Sequence, residues 1–153
     1  MMIRKMQLAD VDTVYKIEQM VQTHPWTRSQ FVEAVDQYQS TVIENNQQVA
    51  GFCLMQPVLD EANLLLMAVH PELHGKGLGT QMLNHAIERL GDKCVQIFLE
   101  VRESNTAAIG LYEKVGFHQI DVRKNYYPLL EGNRENAIIM VNMLSDNPFG
   151  FAI

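Results

Sequence analysis

Val69-His70-Pro71-Glu72-Leu73-His74-Gly75-Lys76-Gly77-Leu78-Gly79-Thr80 is the stretch on which the reading of this chain turns. A dense apolar run, residues 64–69, leads into it. Met82, Leu83, Ala86, Ile87 and Leu90 follow at helical spacing, and Gly91 closes the pattern. Period and punctuation together predict a strand, a glycine turn and a helix. Such a turn lets backbone N–H groups converge where no side chain intrudes, at the positive end of a helix dipole. The chemistry that follows is a cradle for phosphate; the structural alternative is a plain glycine-rich strand-to-helix turn. Two phosphate loops are excluded by spacing. A Walker loop carries Lys and then Ser or Thr after its last glycine, whereas here Lys76 lies between glycines and Thr80 follows Gly79 directly. The Gly-x-Gly-x-x-Gly dinucleotide fingerprint fails because Gly75, Gly77 and Gly79 are evenly spaced.

Composition narrows the class. The chain has 153 residues, 47% apolar and 20% charged, which fits one globular domain with a real core. That domain is expected over residues 1–144, with residues 145–153, containing Asp146-Asn147-Pro148, as a loose tail. No apolar run is long enough for a membrane span, and the N-terminus lacks the apolar core of a signal peptide. Cys53 and Cys94 both lie in apolar, strand-like runs. They read as buried thiols in a reducing, cytoplasmic setting and not as a disulfide or metal site. No His/Cys cluster has ligand spacing, so no metal is expected. The net charge of −6 argues against a general nucleic-acid binder and is compatible with a cationic substrate.

The remaining elements surround the glycine turn. Residues 2–6 read as a first strand. Asp10 reads as a helix N-terminal residue, before an apolar face of Val11, Val14, Ile17 and Val21. His24-Pro25-Trp26 ends that helix. Thr27 and Gln30 then form a capping box, and Trp26 and Phe31 occupy the two positions of a hydrophobic staple. Trp26 is therefore either a staple or a wall of a substrate cleft, and the two roles are compatible. Residues 41–44 and 49–55 form a hairpin about Asn45-Asn46-Gln47-Gln48, and Pro57 ends it. Asp60 and Glu61 could anchor a substrate amine or simply lie in a solvated loop. The run 64–69 suits a central strand covered on both faces.

After the glycine helix, residues 94–102 read as another buried strand. Glu100 stands within it between Leu99 and Val101. A carboxylate inside a core strand costs several kcal/mol unless paired or facing a cavity, so either Arg102 neutralises it or it lines a cleft. Ser104 and Asn105 cap a helix carrying Ala107, Ala108, Leu111, Tyr112 and Val115, and Gly116-Phe117 gives a Schellman-type stop. A strand from Phe117 to Asn125, a loop from Asn125-Tyr126-Tyr127-Pro128 to Asn133, and a last strand over 137–141 complete the order β-α-α-β-β-β-α-β-α-β-β. That is an α/β architecture, a mixed sheet with helices on both faces. His70 and His118 receive no role.

The even glycine spacing resembles the pyrophosphate loop of the GCN5-related N-acetyltransferases, although His74 stands where that family usually has Gln or Arg. The stretch 98–102 through Asn105, with Ala107-Ala108-Ile109, Leu111-Tyr112-Glu113 and Gly116-Phe117, is similar to the RimI-type ribosomal-protein alanine N-acetyltransferases. So are Pro25-Trp26, Leu59-Asp60-Glu61-Ala62, Ala68-Val69 and Asn125-Tyr126-Tyr127-Pro128.

This resemblance implies a mostly antiparallel sheet whose central strands splay to hold coenzyme A. It implies transfer of acetyl from acetyl-CoA to the N-terminal alanine of a small-subunit ribosomal protein. By the same resemblance Met67, Ala68 and Val69 meet pantetheine and the thioester, and His74, Gly75, Lys76, Gly77, Leu78, Gly79 and Thr80 form the pyrophosphate loop. Asn105 touches the cofactor near its sulfur, Glu100 is the general base and Tyr112 the general acid. Trp26, Asp60, Glu61, Tyr126 and Tyr127 are candidates for the acceptor groove.

The chemistry is independently sound. Only a neutral amine is a nucleophile, and an α-amino group has a pKa of roughly 7.7–8.0 against about 10.4 for lysine. A positioned carboxylate is an adequate base for it, and backbone amides near Val69 would stabilise an oxyanion. Cys53 is a poor nucleophile candidate, since the sequence offers no evident basic partner for it. The structural alternatives are a core tyrosine for Tyr112, on the apolar face of its helix, and packing roles for Tyr126 and Tyr127. Acetylation of a lysine, a polyamine or a small amine, or simple acyl-CoA binding without turnover, are the competing functions on the same scaffold.

Overall fold

A computed structural model describes residues 2–129, 132 and 134–144. Its elements are β1 (Met2–Lys5), a 3-10 turn (Leu8–Asp10), α1 (Val11–Val21), α2 (Arg28–Gln37), β2 (Gln39–Asn45), β3 (Gln48–Val58) and β4 (Glu61–Val69). A second 3-10 turn (Pro71–Leu73), α3 (Leu78–Leu90), β5 (Gln96–Arg102), α4 (Thr106–Val115), β6 (His118–Pro128) and β7 (Arg134–Met143) follow. The order of strands and helices is the one expected from the sequence. The expected tail, residues 145–153, and Asn133 lie outside the described residues.

The strands form one seven-stranded sheet in the order β1-β2-β3-β4-β5-β7-β6. Pairing is antiparallel for β1–β2, β2–β3, β5–β7 and β6–β7, and parallel for β4–β5. By contacts the chain divides into two compact units. The first takes the chain as far as Gln56, the second half of β4 from Leu65, and α3 to Arg89. The second takes the turn into β4, its first residues as far as Leu64, and the described residues from Leu90 on.

In the first unit the strand period decides which side chain meets which helix. Val42, Phe52, Leu54 and Ala68 share a fully or nearly buried cluster with Val11, Val14 and Ile17 of α1 and Phe31, Ala34 and Val35 of α2. Ile43 and Gly51, one residue out of phase, look the other way, toward Met82 of α3. The helices of this unit therefore cover both faces of its strands, as the apolar spacing requires. The hairpin turns at Asn46 and Gln47, both left-handed, and α2 begins with the expected reciprocal capping box of Thr27 and Gln30.

Several local expectations change. Asp10 stands at the N-cap position of α1 as expected, but its side chain makes no capping hydrogen bond. Its carboxylate instead takes two hydrogen bonds from Arg4, at 2.8 and 2.9 Å, and one from the Gln7 N–H. Arg4 holds the Asp10 carboxyl below the usual carboxylate range, against the opposing effect of burial. β3 runs past Pro57 to Val58, and β4 opens at Glu61 after a turn in which Leu59 is left-handed. β4 is not covered evenly on both faces: Ala62, Leu64 and Ala68 are buried and their neighbours half-buried.

In the second unit the stop after α4 is the expected Schellman motif. Gly116 has φ 125°, its N–H reaches the Glu113 carbonyl, and the Phe117 N–H reaches the Tyr112 carbonyl. The parallel ladder of β4 on β5 consists of Glu61↔Gln96, Ala62↔Ile97 and Asn63↔Phe98. On its other edge β5 pairs with β7 along its whole length, Gln96 to Arg102.

Gly51 marks the tightest approach in the first unit. A Cβ built there would lie 2.7 Å from the Ala68 carbonyl oxygen and 3.3 Å from Ile43 and Met82 atoms. The obstacle is backbone, so it cannot swing aside. Gly51→Ala should lower stability by about 1–3 kcal/mol through overpacking, read as an earlier midpoint in chemical denaturation. An unchanged midpoint would mean that β4 moves freely against β3.

Candidate active site

The first unit carries the glycine turn. Gly75 and Gly77 both have φ 80°, a left-handed backbone that favours glycine. No atom lies within 4 Å of a Cβ built at either position, so their peptide groups stand open. α3 starts immediately after, at Leu78, and the first N–H groups of a helix have no partner within it. Open amides and a helix N-terminus fit a pyrophosphate.

His74 ties this loop back to the strand: its Nε2–H donates to the Val69 carbonyl at 2.7 Å. A different side chain stands here, but it holds the loop to the strand from which Met67, Ala68 and Val69 come. The His70 N–H donates to the Ala50 carbonyl at 2.7 Å, and the His70 Nδ1 accepts the Glu72 N–H at 3.1 Å. His70, assigned no role from the sequence, thus caps the 3-10 turn that starts the loop.

The second unit carries the charged and aromatic groups. β5 presents Ile97, Leu99 and Val101 inward, and Glu100 points the other way and is exposed. It is not a buried strand carboxylate as the apolar run suggested, and Arg102 does not neutralise it. Arg123 of β6 does, with Nη1 3.4 Å from Glu100 Oε1. The same guanidinium stacks over the Tyr126 ring at 4.8 Å. Arg102 is engaged elsewhere: it lies 4.5 Å over the Tyr127 ring, donates to the Pro128 carbonyl and sits 3.8 Å from Glu135. Burial, with the charge of Glu100 adding to it, pushes the Tyr127 phenol up to about 12. That phenol keeps its proton and can only donate or accept a hydrogen bond at neutral pH.

Tyr126 and Tyr127 belong to β6 and not to a loop. The strand absorbs an irregularity between Arg123 and Tyr127, where Asn125 is left-handed and its N–H is taken by the Asn136 side chain at 2.9 Å. The structure thus brings Glu100 to Tyr126 through Arg123, and Tyr127 meets the Tyr126 ring edge-on at 5.1 Å.

Asn105 caps α4, its Oδ1 accepting the Ala108 N–H at 3.2 Å. Tyr112 lies on the same helix, seven positions and close to two turns further on; it is buried, with its ring 5.9 Å from Phe117. The Asp60 carbonyl accepts the Val95 N–H at 2.7 Å, and Glu61 accepts from the Gln96 amide at 2.7 Å. Both cysteines are free and buried. Burial pushes the Cys53 thiol up to about 12 and raises that of Cys94. Among the described residues no group of three His, Cys, Asp or Glu is placed to hold a metal, and no helix is long and apolar enough to cross a membrane.

Residues 11–117 match the Acetyltransferase (GNAT) family, and the chain belongs to that family. Among its relatives, ribosomal protein bS18-alanine N-acetyltransferase of Haemophilus influenzae is 41% identical over 140 residues, 90% of this chain and 95% of the relative. The Escherichia coli protein of the same name is 40% identical over 145 residues, 94% of this chain and 97% of the relative. A crystal structure of the ribosomal-protein-S18-alanine N-acetyltransferase from Escherichia coli superposes with a TM-score of 0.88 at 37% identity, covering 99% of each chain. The GNAT resemblance, the fold and the alanine acetyltransferase kinship read from the sequence therefore hold.

One polar group escaped the sequence reading. Glu18 of α1 is 1% exposed. Its Oε2 accepts the Trp26 N–H at 3.0 Å, and its Oε1 is buried with no partner. The signal was present, since Glu18 continues the Val11–Val14 spacing of the apolar face. Burial pushes its carboxyl up to about 7, against the Trp26 hydrogen bond. Unfolded, the same group titrates at about 4.3. The folded chain therefore binds one more proton than the unfolded chain between those values, and stability falls as pH rises across that window. Glu18→Gln removes the effect while keeping an acceptor for Trp26. Between about pH 4 and about pH 7 the wild type should lose stability relative to Glu18→Gln in thermal melts. Parallel profiles would show that Glu18 is not a buried acid.

Proposed function

We propose that this chain transfers acetyl from acetyl-CoA directly to the α-amino group of an N-terminal alanine, with a small-subunit ribosomal protein as acceptor in the cytoplasm. The observation that carries this reading is Glu100. It is an exposed carboxylate flanked by Tyr126 and Tyr127 and oriented by Arg123. The relatives named above, with their activity on ribosomal protein bS18, support the choice of acceptor.

The residues divide the work as follows. Gly75, Gly77 and the start of α3 (Leu78, Gly79, Thr80) offer amides to the pyrophosphate, with Lys76 exposed beside them. The backbone of Met67, Ala68 and Val69 meets the pantetheine arm, held by the His74 bond. Asn105, its oxygen committed to the α4 cap, has its amide N–H groups for the cofactor. Acetyl-CoA supplies an activated acyl group when bound.

Glu100 takes the proton that the acceptor ammonium must lose. An α-amine near its midpoint at neutral pH asks little of that base, whereas a lysine side chain asks for roughly two to three pH units more. Tyr127, with its proton retained, cannot replace Glu100 as base, but it and Tyr126 can border the peptide. Tyr112 returns a proton to the departing sulfur. Neither cysteine is a nucleophile, because burial keeps both thiols protonated, and direct attack by the amine fits that. Trp26 stands as a further wall for the acceptor.

Two experiments test this. Peptides with a free N-terminal alanine, and peptides with that end blocked and an internal lysine, are incubated with the protein and acetyl-CoA and read by mass spectrometry. Acetylation of the free-terminus set alone is expected. Acetylation only of lysine would move the acceptor class, and cofactor binding without any product would favour a binding module. With that assay in hand, Glu100→Gln should lower turnover by about 100-fold near neutral pH, partly recovered at high pH. Tyr112→Phe should lower turnover far more than acetyl-CoA affinity. A Glu100→Gln defect independent of pH, or full turnover by Tyr112→Phe, would remove that residue from the mechanism.

A further inference from the structure

The connection between α1 and α2, residues 22–27, is held at both ends by ordinary capping. The Gln22 N–H closes on the Glu18 carbonyl at 2.9 Å, and Thr27 and Gln30 form the capping box. The Arg28–Asp12 ion pair, 2.7 Å, also ties the start of α2 to α1, but both side chains are exposed and such pairs contribute little. Thr23, His24 and Pro25 are exposed, and Trp26 is half-buried. Between the caps, the Trp26 N–H is drawn inward to the carboxylate of Glu18.

That arrangement is costly for the fold. One carboxylate oxygen receives a single backbone N–H, and the other is buried without a partner. An apolar residue of the same size would serve the core better. The Trp26 ring lies 5.5 Å from Phe31, which meets Phe52 edge-on at 5.3 Å. With the half-buried ring packed against the core cluster, the position of the Trp26 amide fixes how the rest of the segment stands over it.

We infer that Glu18 is a positioning residue for the acceptor: through the Trp26 amide it sets the 22–27 segment, and so governs capture of the acceptor peptide and not of acetyl-CoA. This rests on the reading above that Trp26 borders the acceptor. Charged groups on the neighbouring elements are otherwise engaged or exposed. Asp10 pairs with Arg4, Asp12 with Arg28, and His70 accepts the Glu72 N–H. Lys16, His24, Glu33, Asp36 and Glu72 are exposed. The principal influences on Glu18 are burial and the Trp26 N–H.

Trp26 is the single tryptophan of the chain, so its emission reports this segment alone. The first readout is Trp26 fluorescence against pH, in a His24→Asn background to remove the nearby imidazole. A transition centred at about 7 is expected, and it should vanish when Glu18→Gln is added. The second readout is steady-state kinetics with an alanine-starting peptide. Glu18→Leu should raise the acceptor KM about tenfold, leaving kcat and the acetyl-CoA KM within about twofold. Glu18→Gln, which keeps the acceptor oxygen, should restore the acceptor KM.

An unchanged acceptor KM in Glu18→Leu, an equal rise in the acetyl-CoA KM, or a fluorescence transition that survives Glu18→Gln would each overturn the inference. If the wild type acetylates no alanine peptide, the acceptor reading has failed and the kinetic half fails with it. The Trp26 titration then still decides whether Glu18 controls the segment.

Discussion

Two left-handed glycines, Gly75 and Gly77, are the constraint on which the rest depends. The chain leaves β4, turns, and enters α3 within nine residues, 70–78, and the backbone has to change direction without a side chain over its amides. Gly51 allows the Ala68 carbonyl to press on β3, and the His70 N–H closes on Ala50. The His74 ring then holds the loop to Val69. Strand, turn and helix are thereby fixed to one another inside a single unit, with the open peptides aimed outward. The part proposed for the pyrophosphate follows from that local geometry.

The second unit handles charge in a comparable way. Two arginines, two carboxylates and two tyrosines are interleaved so that each guanidinium has both a carboxylate neighbour and an aromatic face. Arg102 is committed to Glu135, Tyr127 and the Pro128 carbonyl, which frees Glu100 to meet Arg123 near the surface. An exposed carboxylate with one cation to orient it suits proton removal from an amine better than a fully enclosed ion pair. Burial keeps the protons on Tyr127, Cys53 and Cys94, so the groups with a proton to exchange are limited by their surroundings.

Local sequence signals carried the element order, because each rests on a pattern a few residues long. The capping box at Thr27 and the glycine stop at Gly116 were legible, whereas β5, read as a buried apolar run, proves to alternate and to turn Glu100 outward. The partner of Glu100 was not legible. Arg102 is nearer in sequence, but the β6–β7 register and the left-handed Asn125 bring Arg123 instead, and no local pattern encodes that register. The same irregularity extends β6 through Tyr126 and Tyr127, which the asparagine and proline around them had marked as loop. Glu18 was legible in principle, since it falls on the apolar spacing of α1. A glutamate in a helix is ordinarily solvated, and only the chain returning over it at Trp26 encloses it.

The measurement that tests this account most directly is the intact mass of ribosomal protein bS18 purified from cells that carry this chain, with and without its gene. The account predicts that the protein is heavier by one acetyl group when the gene is present, that the mass maps to an N-terminal alanine, and that the gene with Glu100→Gln fails to restore it. An unacetylated terminus in both cells, or full acetylation without the gene, would contradict it.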